Sequence, residues 1–252
     1  YDARGNVAWM VKGIRDPQLG VLARFATGFT HDLMDRIVEV LYPDGDRCSY
    51  TYNSASFLES ATGGPGVKVL LASAAYEPTG QRASCNYGNG TVTTYGYDIR
   101  DRLVSLRTSS ELSGDLIHYS YDFDATSNIL AINDLRPFDG PGGVPAESPR
   151  RNSQRFEYDD LYRLTRARFT PTSTDKATLG TISYSYDALG NMLSQTSDNP
   201  EAQLGDMLYA GGRADRQGRL PGQPPGPHAL TSTASGGVYA YDDNGNMTAM
   251  EG

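Results

Sequence analysis

The chain has 252 residues, with 28 Gly, 17 Tyr and a formal charge of −8. It contains no run of about 18 apolar residues, and no signal peptide is visible. Two cysteines cannot staple so long a chain, and the acidic balance opposes phosphate-driven nucleic-acid binding.

Read in order, the chain is a repeat. It opens on Tyr1-Asp2, and Asp2-Ala3-Arg4-Gly5-Asn6-Val7 reads as a turn leading into a strand. Asp16–Ala26 carries Leu19, Leu22, Ala23 and Ala26 at helical spacing and predicts a helix. Phe29-Thr30-His31-Asp32 and Tyr50-Thr51-Tyr52-Asn53 are variants of a motif that is complete in Tyr95-Gly96-Tyr97-Asp98 and Tyr119-Ser120-Tyr121-Asp122. Pro137–Pro149, with four prolines and three glycines, predicts a loop insert. Phe156-Glu157-Tyr158-Asp159 and Tyr184-Ser185-Tyr186-Asp187 follow. A second insert, Pro200–Pro227, precedes Tyr239-Ala240-Tyr241-Asp242. Twelve of the 17 tyrosines lie in these copies, and Tyr76-Glu77 with Gly80 is a weaker one. With Asp122 as the marker of its copy, the last interval, from Asp187 to Asp242, is 55 residues; Asp215–Leu220 divides it as a turn without its aromatic pair.

Each copy reads as strand, turn and strand. Tyrosines two apart share a strand face, so rings of successive copies are expected to stack across the sheet. Asp opens the turn by accepting backbone N–H bonds, and Gly three residues later, as Gly190 and Gly245, suits a left-handed position. Asp35, Asp101, Ser127 and Tyr162 stand in the glycine slot. A left-handed Tyr is costly, so a different turn is expected at Asp159–Arg163.

The residues YGYDIRDRL (95–103), YSYDALGNM (184–192) and YAYDDNGNM (239–247) resemble the YD repeats of the Rhs family. That family includes bacterial polymorphic toxins, components of insecticidal toxin complexes, and teneurins. The resemblance implies an all-β fold of antiparallel hairpins wound into part of a spiralling, hollow shell. It also implies a secreted protein whose shell encloses a C-terminal effector of the same polypeptide for a toxin-delivery machine. No DPxG-type core follows the repeats, and both ends fall beside copies, so the chain is expected to be an excerpt of a longer one. The alternative is an adhesion module that binds a glycan or receptor.

No catalytic constellation emerges, and the chain reads as non-enzymatic, with no cofactor. His31, His118 and His228 lack metal-ligand spacing, and no G-x-S-x-G elbow occurs. Asp44-Gly45-Asp46 and Asp242-Asp243-Asn244 fall short of a calcium loop. Cys48 and Cys85 suit either a disulfide or two free thiols. Gly88-Asn89-Gly90 reads as a hairpin turn. The residues expected to matter are structural: Tyr50, Tyr52, Tyr95, Tyr97, Asp98, Tyr119, Tyr121, Asp122, Tyr158, Asp159, Tyr184, Tyr186, Asp187, Gly190, Tyr239, Tyr241, Asp242 and Gly245. An enzyme would instead need a deep pocket joining His31 or His118 to a carboxylate.

Overall fold

The computed structural model describes all residues except 16–19, 21, 65, 67, 147, 149, 171–179, 210–225, 227, 243–244 and 252. Among the described residues there are 19 strands and one short 3-10 turn, Pro200–Ala202. The strands are antiparallel and pair in chain order. No helix among them is long and apolar enough to cross a membrane.

Two compact units divide the chain, Tyr1–His118 with Gly140–Gly143, and Tyr119–Asp139 with Val144–Gly252. The first holds β1 (Trp9–Arg15), β2 (Leu22–His31), β3 (Ile37–Leu41), β4 (Arg47–Tyr52), β5 (Leu58–Gly63), β6 (Lys68–Tyr76), β7 (Arg82–Tyr87), β8 (Thr91–Tyr97) and β9 (Leu103–Ser110). Strand β10 (Gly114–Phe123) has residues in both units. The second unit holds β11 (Ile129–Asp134), β12 (Ser153–Tyr158), β13 (Leu164–Thr170), β14 (Thr181–Tyr186), β15 (Met192–Ser197), β16 (Gly205–Tyr209), β17 (Leu230–Thr233), β18 (Val238–Tyr241) and β19 (Met247–Glu251).

The helix expected at Asp16–Ala26 does not form where the chain is described. Leu22–Ala26 lies in β2, each residue opposite one of β1 from Arg15 to Val11. Cross-strand pairing of β-branched and aromatic side chains outweighs a helical pattern already interrupted by Gly20. Asp16–Leu19 and Val21 lie outside the described residues.

A register slip recurs where an approach strand meets its return strand. Tyr52 faces Leu58 while Thr51 faces Ser60, so Glu59 is an extra residue on the return strand. The same slip sits at His31, Tyr76, Tyr97, Phe123, Tyr158, Tyr186, Tyr209 and Tyr241. Such a bulge sharpens the local twist and aims the last aromatic of the strand. The copy concealed in the long interval is therefore marked by Tyr209, paired with Leu230. It lies inside the expected second insert, which contains the 3-10 turn and β16 rather than loop alone. Asp215–Leu220 lies outside the described residues. Between Asp134 and Ser153 the described residues form no strand.

Burial is thin. The buried apolar residues, among them Val40, Ala61, Cys85, Ala131, Ala167 and Ile182, are mostly small, and among the described residues no large side chain is fully enclosed. Ala61 stands opposite Tyr50, and Val40 opposite Cys48, so these residues fill the sheet face that carries the tyrosines. Neighbouring strands also pair small polar groups. Thr51 Oγ1 and Ser60 Oγ are 2.7 Å apart, Ser185 Oγ and Ser194 Oγ 2.6 Å, and Asn86 donates to Ser73 Oγ at 2.8 Å. With so little apolar area to bury, the polar ties at the turns gain weight.

Candidate functional site, a row of turns closed by tyrosine clasps

The repeated element is a five-residue loop with a fixed hydrogen-bond plan. At Asp187 the backbone N–H donates to the Asn191 carbonyl at 2.9 Å, and Gly190 N–H donates to the Asp187 carbonyl at 3.2 Å. One carboxylate oxygen accepts from the backbone N–H groups of Leu189 and Asn191, both at 2.8 Å. The other accepts from the Asn191 side chain at 2.8 Å. The same plan holds at Asp2, Asp32, Asp98, Asp124 and Asp159. At Asp242 the Asn246 backbone and side chain make the corresponding bonds, at 2.8 and 3.0 Å. Asn53 accepts two backbone bonds with its side-chain oxygen, from Ala55 and Phe57, both at 3.0 Å.

The fourth residue after the acid is the part that a search for tyrosines overlooks. It is Arg36, Arg102 and Arg163, or Asn6, Asn128, Asn191 and Asn246. Each arginine donates Nε to the second carboxylate oxygen at 2.7 Å, and each asparagine donates Nδ2. The visible signal is Asp-x-x-x-[Asn or Arg], present in seven turns among the described residues. These donors hold several carboxyls below the ordinary carboxylate range. The leading cause is the Arg36 side chain at Asp32, the Asn128 side chain at Asp124, and the Arg163 backbone N–H at Asp159.

Two expectations about these turns are corrected. The turn of the fifth strand pair opens at Asp124, not Asp122. Tyr121 and Phe123 are its aromatic pair, and Asp122 instead accepts from Asn133 Nδ2 at 3.1 Å. Three aromatics at period two, Tyr119, Tyr121 and Phe123, leave the phase open; Asn128, four residues past Asp124, decides it. The turn at Asp159–Arg163 is not different. Tyr162 takes φ 61° and donates its N–H to the Asp159 carbonyl at 2.9 Å. Every non-glycine residue with positive φ among the described residues, namely Asp35, Ser56, Asp101, Ser127 and Tyr162, occupies this slot. The bonds collected by the acid outweigh a left-handed cost of about 1–2 kcal/mol.

In seven copies the tyrosine that ends the approach strand reaches back to the previous hairpin. Its hydroxyl donates to the carbonyl of the residue that opens that hairpin's return strand. In the first unit Tyr52 clasps Ile37 at 2.7 Å, Tyr76 clasps Leu58 at 2.7 Å, and Tyr97 clasps Arg82 at 3.0 Å. In the second unit Tyr158 clasps Ile129 at 2.8 Å, Tyr186 clasps Leu164 at 2.8 Å, Tyr209 clasps Met192 at 2.9 Å and Tyr241 clasps Leu230 at 2.8 Å. Burial pushes the hydroxyls of Tyr158, Tyr186 and Tyr209 to titrate above the ordinary range.

The rings of the clasps meet the previous turn. The Arg36 guanidinium lies 4.6 Å from the Tyr52 ring centre, Arg163 lies 4.8 Å from that of Tyr186, and Phe57 stacks on Tyr76 at 4.7 Å. Tyrosine-on-tyrosine stacking, expected from the motif, is replaced by this contact between a ring and the residue at position four of the preceding turn. Neighbouring turns are also tied directly. Arg36 donates to Ser56 Oγ at 3.1 Å, Gln81 to the Asp101 carbonyl at 3.0 Å, and Arg163 to the Asp187 carbonyl at 2.9 Å. The first tyrosine of each pair has a different place. Tyr50 lies beside Tyr42 and Cys48, and burial, with those neighbours, pushes its hydroxyl up to about 12. Tyr121 and Tyr184 are likewise raised by burial.

The remaining candidates do not converge. His31 fills a clasp slot in β2; His118 Nδ1 lies 3.2 Å from Asp115, which Arg107 also engages at 2.7 Å; His228 Nδ1 lies 2.6 Å from Asn191 Oδ1. Among the described residues no three His, Cys, Asp or Glu form a metal-sized group. Cys48 and Cys85 are free thiols. A hollow of about 620 Å³ beside β8 and β9 is lined by Thr91, Ser109, Glu111, Leu112 and Leu116, among others, and by no histidine.

The comparisons agree with this geometry. A chain of the TcdB2-TccC3 crystal structure superposes with a TM-score of 0.72 at 16% identity, over 99% of this chain and 14% of that one. The TcdB2-TccC3-Cdc42 structure gives 0.71 at 17% identity with the same coverage. The Photorhabdus luminescens Tc holotoxin pore gives 0.66 at 19%, over 91% of this chain and 12% of that one. The chain has the fold of a segment of these chains. The resemblance read from the YD motifs is thereby borne out, as is the all-β hairpin sheet. By sequence, a toxin subunit of Yersinia entomophaga, YenC1, is 28% identical over 174 residues. That match takes in 56% of this chain and only 17% of the relative's length. No family model matches the chain.

Proposed function

We propose that this chain is a non-catalytic wall segment of a toxin-enclosing YD-repeat shell. Its partners are the rest of the same polypeptide and a C-terminal effector held for delivery outside the cell. One observation carries the reading: the clasps link hairpin to hairpin by polar ties at the turns, with little enclosed core. A sheet built this way can be lengthened without thickening, as a wall requires. The fold shared with the TcdB2-TccC3 chains over 99% of this chain supports it. The half-buried, hydrogen-bonded clasp tyrosines favour a wall over the adhesion alternative, which needs rings open to a sugar or receptor.

Limited proteolysis of the full source polypeptide tests the reading. The C-terminal segment should resist digestion in the native protein and become cleavable when clasps are removed, as in a Tyr158→Phe, Tyr186→Phe double variant. A C-terminal segment cut equally fast with and without intact clasps would overturn it.

A further inference from the structure

Strand β10 is longer than the partner that follows it. It runs from Gly114 to Phe123, and its pairing with β11 starts at Tyr119, opposite Asp134. Gly114–His118 thus extends past the end of β11. The chain that leaves β11 comes back to this stretch. In the first unit Gly140–Gly143 packs backbone to backbone on the start of β10. A methyl added to Gly142 would collide with the Asp115 backbone, and one added to Gly114 with the Pro141 carbonyl. Both glycines have positive φ, 74° and 65°, so a side chain at either position would also strain the backbone.

In the second unit the base of the same segment folds around one guanidinium. Arg151 Nη1 donates to the Asp134 carbonyl at 2.8 Å, and Nη2 donates to the carbonyls of Arg136 at 2.8 Å and Val144 at 2.6 Å. The Phe138 ring centre lies 4.6 Å from the same group. Val144 is 2% exposed and donates its N–H to the Pro137 carbonyl at 2.7 Å. The enclosed Asp134 carboxylate accepts from Arg136 Nη2 at 2.6 Å and from the Asn152 N–H at 3.0 Å. The composition explains why an arginine is needed. Pro137–Pro145 holds three prolines and three glycines. Prolines bring carbonyls without N–H groups, and glycines bring no side chain to pack. Buried carbonyls still require donors, and a guanidinium fork supplies several from one point.

We infer that Pro137–Pro145 is a fastened strap. Arg151 is its internal cation: it gathers the carbonyls at the base and so holds Gly140–Gly143 down on the part of β10 that extends past β11. Strand backbone left without a partner is a template for pairing with another chain, and the strap covers it. Every contact in the device is made within this chain, so its role does not depend on what the sheet encloses.

Chymotrypsin cleavage after Phe138, located by fragment mass in the full source polypeptide, reads the strap, and hydrogen exchange of the Val144 amide reads its base. Arg151→Lys keeps the charge but replaces the planar fork with a compact ammonium that cannot span the three carbonyls. It should be cut at least about tenfold faster, the scale of one lost hydrogen bond to a charged group, and lose Val144 protection while β12 and β13 stay protected. Gly142→Ala, which leaves the guanidinium in place, should lift the tip and also speed the cut. Arg155→Gln, which removes a cation from β12, should do neither. The proposal fails if Arg151→Lys is cut as slowly as the unaltered protein, if Gly142→Ala is cut no faster, or if Arg155→Gln opens the strap equally. Should Arg151→Lys lose protection throughout β12 and β13, Gly142→Ala decides alone: faster cutting supports the strap and an unchanged rate overturns it. These readouts do not involve the C-terminal segment, so their failure leaves the wall reading standing.

Discussion

Removal of one clasp hydroxyl isolates the tie between hairpins. In Tyr186→Phe the ring stays under Arg163, 4.8 Å away, while the 2.8 Å bond to the Leu164 carbonyl is lost. A buried or half-buried hydrogen bond between neutral groups contributes about 0.5–1.5 kcal/mol net. For a chain of this length that lowers the melting temperature by roughly 1–6 °C. Tyr184 is the internal control. It stands two residues earlier on the same face and makes no clasp, and burial alone raises its hydroxyl titration. Urea denaturation followed by far-ultraviolet circular dichroism, with hydrogen exchange over β13 and β14, measures both variants. Tyr186→Phe should lower the midpoint and the protection of the Leu164 end of β13, and Tyr184→Phe should do neither. Equal losses in the two variants would mean that ring burial, not the clasp, holds the hairpins together.

The glycine slot predicts effects of opposite sign. Gly190→Ala, at φ 90° with open space around the added methyl, should cost about 1–2 kcal/mol of backbone strain alone, and Tyr162→Gly should be neutral or stabilising by urea titration. Asp124→Ala should erase the exchange protection of the Thr126 and Asn128 amides, whereas Asp122→Ala should leave both protected. The turn acids also set a pH dependence. The folded carboxyls of Asp32, Asp124 and Asp159 lie below the unfolded value of 3.8. The unfolded chain thus binds protons first as pH falls, and stability is full above that value and lost beneath it. The urea midpoint should hold level from neutral pH to about pH 5 and drop below about pH 4. The Asn53 turn, which has no acid to titrate, should keep its exchange protection through the drop.

Much of this architecture was legible in the tyrosines. Their spacing marked the approach strands, and Asp and Gly marked the loops, because period two and turn chemistry are local properties. What stayed hidden depends on contacts between copies. Nothing in Tyr52 itself says that its hydroxyl meets Ile37 rather than water. Stacking of like rings was the natural guess from same-face spacing, yet the ring of one copy meets Arg36, Phe57 or Arg163 of the copy before. The phase error at Asp122 has the same origin. A local rule accepts either acid after a run of aromatics, and only the donor four residues on selects Asp124. At Leu22–Ala26 a helical pattern yielded to pairing with Val11–Arg15, a neighbour in sequence that apolar spacing alone does not reveal.

The clasps also explain how so irregular a repeat keeps one geometry. The tyrosine and its acceptor carbonyl are 15 residues apart at Tyr52, 29 at Tyr158 and 11 at Tyr241. A fold held by period would lose register at the first such change, because a shift of one residue moves every side chain of a strand to the opposite face. Here register is reset at each of the seven clasped copies by two fixed points, the residue before the turn and the residue that opens the previous return strand. Residues between those points are free to lengthen, as between Asp134 and Ser153, at an entropic cost that grows only slowly with length. A phenylalanine in the clasp slot, as at Phe123, keeps the bulge but gives up the hydroxyl. Where the slot holds tyrosine, the hydroxyl adds a tie from hairpin to hairpin that phenylalanine cannot make.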